Sequence, residues 1–493
     1  MKIRTRRRTA AWGLGVAAGL AAGTVAVTSF VTSPTVNATP VAAAQSLTWT
    51  PCDDPDNPGA ECATLKLPVD WDRPDGPTFG LALARRKATE PDARVGSLVF
   101  GPGGPGDSGV QRVVGGIARF SPEVRRRFDI VSFDPRGVGR SNPITCSDDL
   151  VAQRPSPKIA NQAEFDATLA YNAKLREDCR KRTGPVFDHV DSANTVEDVE
   201  AIRVALGEPK LNFHGSSYGT LLGAQYAEKY PQRIRAMVLE SVMDHSVPTT
   251  RAFLRDMGTS AQDSFNEFVK WSDANAASAL HGRDVRAIWK GILARAERGE
   301  LEDPKKPGTR LASIDAVNTI AFKAFYKPDF AGLAKTIATM EASKPLPAGP
   351  TTLSPLPPTG PIFCGDWRLP VRDQREYASL VRELNTAAPD MPYVLTARIV
   401  ASCLGAPTAN PQHPLKVKGA PQILLSNSLH DPATGYPWAQ SVERQLGRSG
   451  VLLTYEGHGH GTATDGPCME NSVDAYLTDL KVPARGTSCP ATG

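Results

Sequence analysis

Apolar residues follow two periods along this chain, and the places where one gives way to the other outline its architecture. Short runs at 65–69, 78–85, 96–100, 128–133, 210–214 and 235–240 are apolar or alternate with period two, which predicts strands. Ahead of the 210–214 run, Val196, Val199, Ile202 and Leu206 recur at helical spacing, with Thr195 and Asp198 placed like a capping pair and Gly207 as the stop. A second helix over 220–230 leaves that run and is ended by Pro231. From 245 to 416 the pattern is helical, as over 285–296 and 330–340, and is broken by a Pro-rich stretch at 344–361. Strand runs return at 421–426 and 450–455, and an amphipathic helix over 472–480 follows. Strands alternating with helices on both sides of a helical block predict an α/β protein with a mostly parallel sheet and a large helical cap. The expected parts are a core segment over 45–244, a cap over 245–416 and a second core segment over 417–493.

The junction between the 210–214 strand and the 220–230 helix carries Gly215-Ser216-Ser217-Tyr218-Gly219. Gly-x-Ser-x-Gly between strand and helix is the spacing of a nucleophile elbow, a strained turn that exposes one serine and needs small flanking residues. Centring the motif on Ser216 would put His214 and Tyr218 at the glycine positions, so Ser217 is the expected nucleophile. A neutral hydroxyl attacks carbonyls poorly, so Ser217 needs a histidine base and a carboxylate that fixes its tautomer, in the chain order Ser, acid, His. Asp431 lies just past the 421–426 strand and His460 just past the next. Asp431 before Pro432 also fits a helix cap, and His458 in the same glycine-rich loop competes with His460; Asp465 and Glu456 are the rival acids. A metal pair at His458 and His460 lacks a carboxylate on its own element, so no metal and no cofactor is expected.

The oxyanion of an acyl-transfer intermediate needs donors from the residue after the nucleophile, here Tyr218, and from the loop after an earlier strand. The Gly103-Gly104-Pro105-Gly106 turn fits the second role, with Gly104 as the expected donor. No Lys-Ser/Thr pair follows these glycines as in a P-loop. The stretch 136–141 supplies no nucleophile and reads as a packed turn beside the site.

Residues 1–8 carry five basic side chains and no acid, and 10–31 is almost wholly apolar, the pattern of a signal peptide with Ala42-Ala43-Ala44 offering a cleavage site. An uncleaved anchor is the competing reading, and Arg6-Arg7-Arg8 leaves a twin-arginine route open. Without the five leader charges the formal +4 becomes −1, so no basic surface points to nucleic acid or anionic lipid. Eight cysteines in an exported chain are expected to pair, and their order favours neighbours: Cys52 with Cys62, Cys146 with Cys179, Cys364 with Cys403, Cys468 with Cys489.

Taken together, the motifs resemble the proline iminopeptidase branch of the α/β-hydrolases, and more closely the secreted tripeptidyl aminopeptidases of actinobacteria. The resemblance spans nearly the whole mature chain: Trp49 and Cys52, Cys62 with Pro68-Val69-Asp70, the Gly103 to Gly106 loop, Asp134-Pro135-Arg136-Gly137, the elbow, Cys364-Gly365-Asp366-Trp367, Asp431-Pro432, and His460 with Cys468. Pro102 departs from the histidine that iminopeptidases place before the glycines, and Gly435-Tyr436-Pro437 departs at the pocket rim. The resemblance implies Ser217, Asp431 and His460 as nucleophile, acid and base, and cleavage of short peptides from a free N-terminus outside the cell. Such an enzyme must hold an ammonium group, and Glu240 and Asp366 are the candidate carboxylates, each of which also fits a structural salt-bridge or capping role. No nucleic-acid partner and no stable membrane association after leader removal is expected. An exported carboxylesterase or lipase with the same triad is the alternative, since the fold does not dictate the leaving group.

Overall fold

The computed structural model describes residues 46–492 apart from 307, 312, 350–359 and 393–394; the expected signal peptide and its cleavage site lie outside the described residues. The described residues form a ten-stranded sheet from β1 (Thr50–Pro51), β2 (Glu61–Pro68), β3 (Thr78–Arg86), β4 (Gly96–Gly101), β5 (Phe128–Phe133), β6 (Leu211–Ser216), β7 (Ile234–Glu240), β8 (Ile423–His430), β9 (Gly450–His458) and β10 (Ser488–Cys489), in the order 1-2-3-5-4-6-7-8-9-10. The first pairings, through β3 with β5, are antiparallel, and from β5 to β10 every neighbour is parallel.

Parallel strands are covered on both faces, so they are apolar nearly throughout and divide their side chains between two cores. In β7, Met237 and Leu239 pack with the helices Ser192–Ala205, Tyr218–Lys229 and Tyr436–Leu446, while Ala236 and Val238 pack with Gly109–Val114, Pro122–Arg127 and Pro467–Asp479. Helices on both faces leave the loops at the C-terminal ends of the parallel strands as the place where a site is built.

Between β7 and β8 the chain makes a large helical insertion that includes Thr250–Ala274, Val285–Glu297, Ile314–Tyr326, Phe330–Ala342, Gly360–Asp366, Gln374–Ala387 and Leu395–Cys403. Part of it has its own core around Phe265, Phe268, Trp289, Phe325 and Phe330. Tyr377, Leu380 and Leu384 of Gln374–Ala387 instead join the core of the sheet. A second helical excursion, unanticipated from the sequence, follows β5 as Asp148–Ala152 and Gln162–Thr183. The longer helix is mostly polar, with Phe165, Thr168, Cys179 and Thr183 its buried residues, so it lacks the apolar stripe that reveals a helix. Asn172 on it donates to the Ala401 and Leu404 carbonyls, and Tyr377 donates to that of Pro157. The two excursions are thereby joined.

Asp198 does not cap its helix. The helix begins at Ser192, capped by Asp191, which accepts from the Asn194 amide. Asp198 instead takes a two-pronged pair of bonds from Arg136, Nε at 2.8 Å and Nη2 at 2.6 Å, and a third from the Trp71 indole. Arg136 is fully buried and also donates to the Val69 and His189 carbonyls, so the turn after β5 ties the N-terminal hairpin to Ser192–Ala205. All eight cysteines pair as their order favours, Cys52–Cys62, Cys146–Cys179, Cys364–Cys403 and Cys468–Cys489. Four disulfides belong to an oxidising compartment, and no helix among the described residues is long and apolar enough to cross a membrane.

Arg136→Met strands the Asp198 carboxylate in a dry interior. The expected loss is about 3–5 kcal/mol of stability by denaturant unfolding; a loss below about 1 kcal/mol would remove the pair from its anchoring role.

Candidate active site

Ser217 sits between the end of β6 and the first residue of Tyr218–Lys229 with φ 55° and ψ −122°, a backbone state that side chains rarely adopt. The neighbouring glycines are what make this turn possible. A Cβ on Gly215 would stand 2.4 Å from the Gly219 carbonyl oxygen, and one on Gly219 would stand 2.1 Å from that of Gly101. The turn is held by the Ser217 amide, which donates to the Glu240 carbonyl at 2.9 Å, and by Thr220 Oγ1, which donates to the Ser217 carbonyl at 2.6 Å.

The glycine loop after β4 lies directly over the serine: a Cβ on Gly103 would approach Ser217 Cβ to 3.1 Å. Gly104 follows with φ 110°, which favours glycine, and the Tyr218 amide belongs to the first helical turn, where N–H groups have no intrahelical acceptor. Of the two expected oxyanion donors, Tyr218 directly follows the serine and Gly104 directly follows the glycine that lies against it.

His460 Nδ1 lies 2.9 Å from both carboxylate oxygens of Asp431. Asp431 also accepts from the Ala433 and Thr434 amides and the Thr434 hydroxyl, so the turn-forming role and the pairing with histidine coexist. With Nδ1–H donated to the carboxylate, Nε2 is the basic nitrogen; it is buried and makes no hydrogen bond among the described residues. Its loop is fastened residue by residue. Gly459 is held through its carbonyl by Ser428, His460 donates its amide to the Tyr326 carbonyl, Gly461 to Ser241, and Ala463 to Glu240, while Thr462 pairs with Ser426.

The competitors fall elsewhere. His458 stacks on His430 at 4.9 Å and packs against Phe330, and Glu456 accepts from Ser488. Burial and the Glu240 charge push the Asp465 carboxyl up to about 6, without a hydrogen bond to His460.

Glu240 and Asp366 are not open to a substrate ammonium, contrary to expectation. Glu240 is buried, and its oxygens are taken by Arg119 Nη2 at 2.6 Å, His214 Nε2 at 3.2 Å and the Ala463 amide at 2.7 Å. Burial opposes its charge, but Arg119 and these donors prevail and hold the carboxyl far below the usual range. Asp366 accepts from the Ser192 amide and hydroxyl, Asn410 Nδ2 and, at 2.5 Å, the Tyr218 hydroxyl. Burial pushes its carboxyl up to about 7 against those donors. Both are organising carboxylates, saturated by the protein itself.

Tyr326, part of an aromatic cluster with Phe322 and Phe325 whose spacing fits core packing as well as a pocket entrance, covers the pair from the insertion. Its ring lies 4.2 Å from that of His460, tilted by 34°. Burial and then the Asp431 charge push its phenol up, and a hydrogen bond with Ser217 works the other way.

Two family models match the chain: one described as the alpha/beta hydrolase fold over residues 96–335, and one as TAP-like protein over 393–489. Serine protease Hip1 of Mycobacterium tuberculosis is 32% identical across 90% of this chain and 91% of its own length. The chain belongs to the tripeptidyl-aminopeptidase-like branch of the α/β-hydrolases. This α/β-hydrolase is also 29% identical to the tripeptidyl aminopeptidase of Streptomyces lividans, over 91% of this chain and 87% of that one. A carboxylesterase B of Mycobacterium tuberculosis is 28% identical, over 91% of each. Among solved structures, esterase E22 aligns over 85% of this chain and all of its own, at 12% identity and a TM-score of 0.38. The α/β-hydrolase is accordingly a serine hydrolase of the peptidase branch.

Ser217→Ala and Asp431→Asn are each expected to cut kcat by about 10⁴-fold with the melting temperature unchanged; a variant retaining more than a tenth of the activity would exclude its residue from the chemistry. Tyr326→Phe tests whether the phenol restrains Ser217. It should raise the rate of Ser217 labelling by a small fluorophosphonate about fivefold, the equivalent of one net hydrogen bond of about 1 kcal/mol; an unchanged rate would show that the phenol does not restrain the serine.

Proposed function

We propose that the chain is an exported serine aminopeptidase that releases short peptides, tripeptides foremost, from free N-termini through an acyl-enzyme. Ser217 Oγ attacks the scissile carbonyl while His460 Nε2 takes its proton, and Asp431 holds the imidazole and stabilises its protonated form. The Tyr218 and Gly104 amides receive the oxyanion. His460 then protonates the leaving amine, and water, activated by the same nitrogen, releases the peptide. The observation that carries the reading is the paired Asp431 and His460 beside a serine held at positive φ.

Substrate selection is assigned to a cavity of about 590 Å³ that starts at Gly104, Pro105 and Asp107 and runs between Gln162–Thr183 and the insertion residues Phe363, Cys364 and Ile399. That size falls in the range of sites that bury one small ligand, about 300–1,000 Å³, and excludes a folded chain. Arg154, Arg176, Arg180 and Arg398 line its walls, and of these Arg180 and Arg398 pair with Asp188 and Asp315. Since Glu240 and Asp366 are buried and saturated, the proposed role of holding the ammonium passes to two exposed carboxylates bordering the cavity, Asp107, paired with Arg112 at 2.8 Å, and Glu177, 3.5 Å from Arg180; surface pairs of this kind are weak enough to exchange for a substrate ammonium. The four disulfides support export.

The test is a chromogenic panel of mono-, di- and tripeptidyl amides, free and N-blocked, with short and long acyl esters, against Ser217→Ala. Free tripeptidyl amides are expected to be hydrolysed fastest. Asp107→Asn or Glu177→Gln should raise KM for free-amine substrates about tenfold or more and leave N-blocked ones unchanged. Hydrolysis confined to esters would replace the peptidase with the carboxylesterase that one relative's name describes.

A further inference from the structure

We propose that Glu267, His430 and His458 form a binding site for one divalent cation of the zinc class, on the outer side of the loops that carry Asp431 and His460. One ligand atom from each of the three, a ring nitrogen or a carboxylate oxygen, lies within 4.8 Å of the others. Around a tetrahedral zinc ion with bonds of about 2.0–2.1 Å, ligand atoms stand about 3.3 Å apart, so small side-chain rotations close the set. Two imidazoles and a carboxylate are the donor types zinc prefers when cysteines are engaged elsewhere.

The three residues are held by the fold rather than met by chance on mobile loops. His430 ends β8 and His458 ends β9, and the two are register partners in adjacent strands. Their rings stack at 4.9 Å with a 27° tilt, and Phe330 supports His458 from the other side at 5.2 Å. Glu267 comes from Thr250–Ala274, which lays the same face against them one turn earlier through Asp263. Asp263 Oδ2 lies 2.8 Å from His430 Nδ1, the carboxylate–histidine arrangement that fixes the tautomer and leaves Nε2 for a metal. His458 Nδ1 is buried and has no hydrogen-bond partner among the described residues, although imidazole nitrogens inside a protein normally find one. Lys270 bonds Glu267 Oε1 at 2.6 Å from an exposed position, and the carboxylate's second oxygen is the one assigned to the metal.

A cation here joins three elements that meet nowhere in the sequence. His430 immediately precedes Asp431, and His458 is two residues before His460. Metal binding therefore clamps the acid loop and the base loop to the first long helix of the insertion. This is a structural site: no step of the proposed hydrolysis passes through it.

The test uses the full chain without an affinity tag, stripped with a chelator and dialysed, then titrated calorimetrically with zinc chloride. One equivalent is expected to bind with a micromolar or tighter Kd, raising Tm by about 2–4 °C at a hundredfold excess over Kd. Glu267→Gln, an exchange on a helix surface that preserves volume, and His458→Ala should each weaken binding at least about tenfold, and Asp263→Asn about 10- to 100-fold. Cobalt bound in place of zinc should show the intense visible bands of a tetrahedral nitrogen and oxygen site. Absence of both heat and Tm shift in the unmodified chain overturns the site, as does binding of wild-type strength in Glu267→Gln. Neither readout depends on catalysis, so failure here leaves the peptidase reading standing, and the converse also holds.

Discussion

Glu240 is the last residue of β7, and the geometry of the whole site is set from it. Its carbonyl receives the Ser217 amide, and its carboxylate receives the Ala463 amide at the far end of the His460 loop. Its neighbour Ser241, held at φ 56°, accepts from the Gly461 amide. Two consecutive residues at the end of a central strand thus govern how far the proposed nucleophile stands from the proposed base. The arrangement relies on a carboxylate staying ionised in a dry interior, which is costly unless it is paired and hydrogen-bonded. Arg119 meets that need and is itself held flat over Phe100 at 4.3 Å.

The helical insertion is bonded into the same machinery. Asp366 receives the Tyr218 hydroxyl, so the residue offered as an oxyanion donor is oriented from the insertion, and its carbonyl pairs with His245 Nε2 at 2.7 Å. On the opposite side the Tyr326 carbonyl receives the His460 amide, while the Tyr326 ring covers the imidazole. Any shift of the insertion that admits a substrate therefore acts on hydrogen bonds within one residue of Ser217 or on His460 itself. Hydrogen bonds from the insertion thus reach the proposed oxyanion donor and the proposed base, the kind of connection found in enzymes whose lids complete the site as they close.

How far the chain could be read in advance follows from the range of each signal. The elbow was legible because its requirement is local: a strained turn packed against Gly101 leaves no room for a side chain at Gly215 or Gly219. Asp431 and His460 were legible from their order after successive strands. The cysteines paired with near neighbours in sequence, where loop closure is easiest. For Glu240 and Asp366 the sequence left a substrate-binding and a structural role both open, because sequence position does not reveal that their oxygens are already satisfied within the protein. Gln162–Thr183 was invisible for the opposite reason: a helix held by polar contacts to other helices and a disulfide needs no apolar stripe.

By itself the sequence determined the alternation of strands and helices, the position of the strained serine and the order of its partners, since each depends on residues close together in the chain. The tertiary structure alone decided which histidine meets Asp431, which carboxylates are spent on the fold, and that Tyr326 rests on His460. It also brought Glu267 to His430 and His458, a grouping that no local spacing indicates. The physical reason is common to all four: they are outcomes of packing between elements that lie far apart in the chain. Burial and hydrogen-bond saturation exist only once those elements have met.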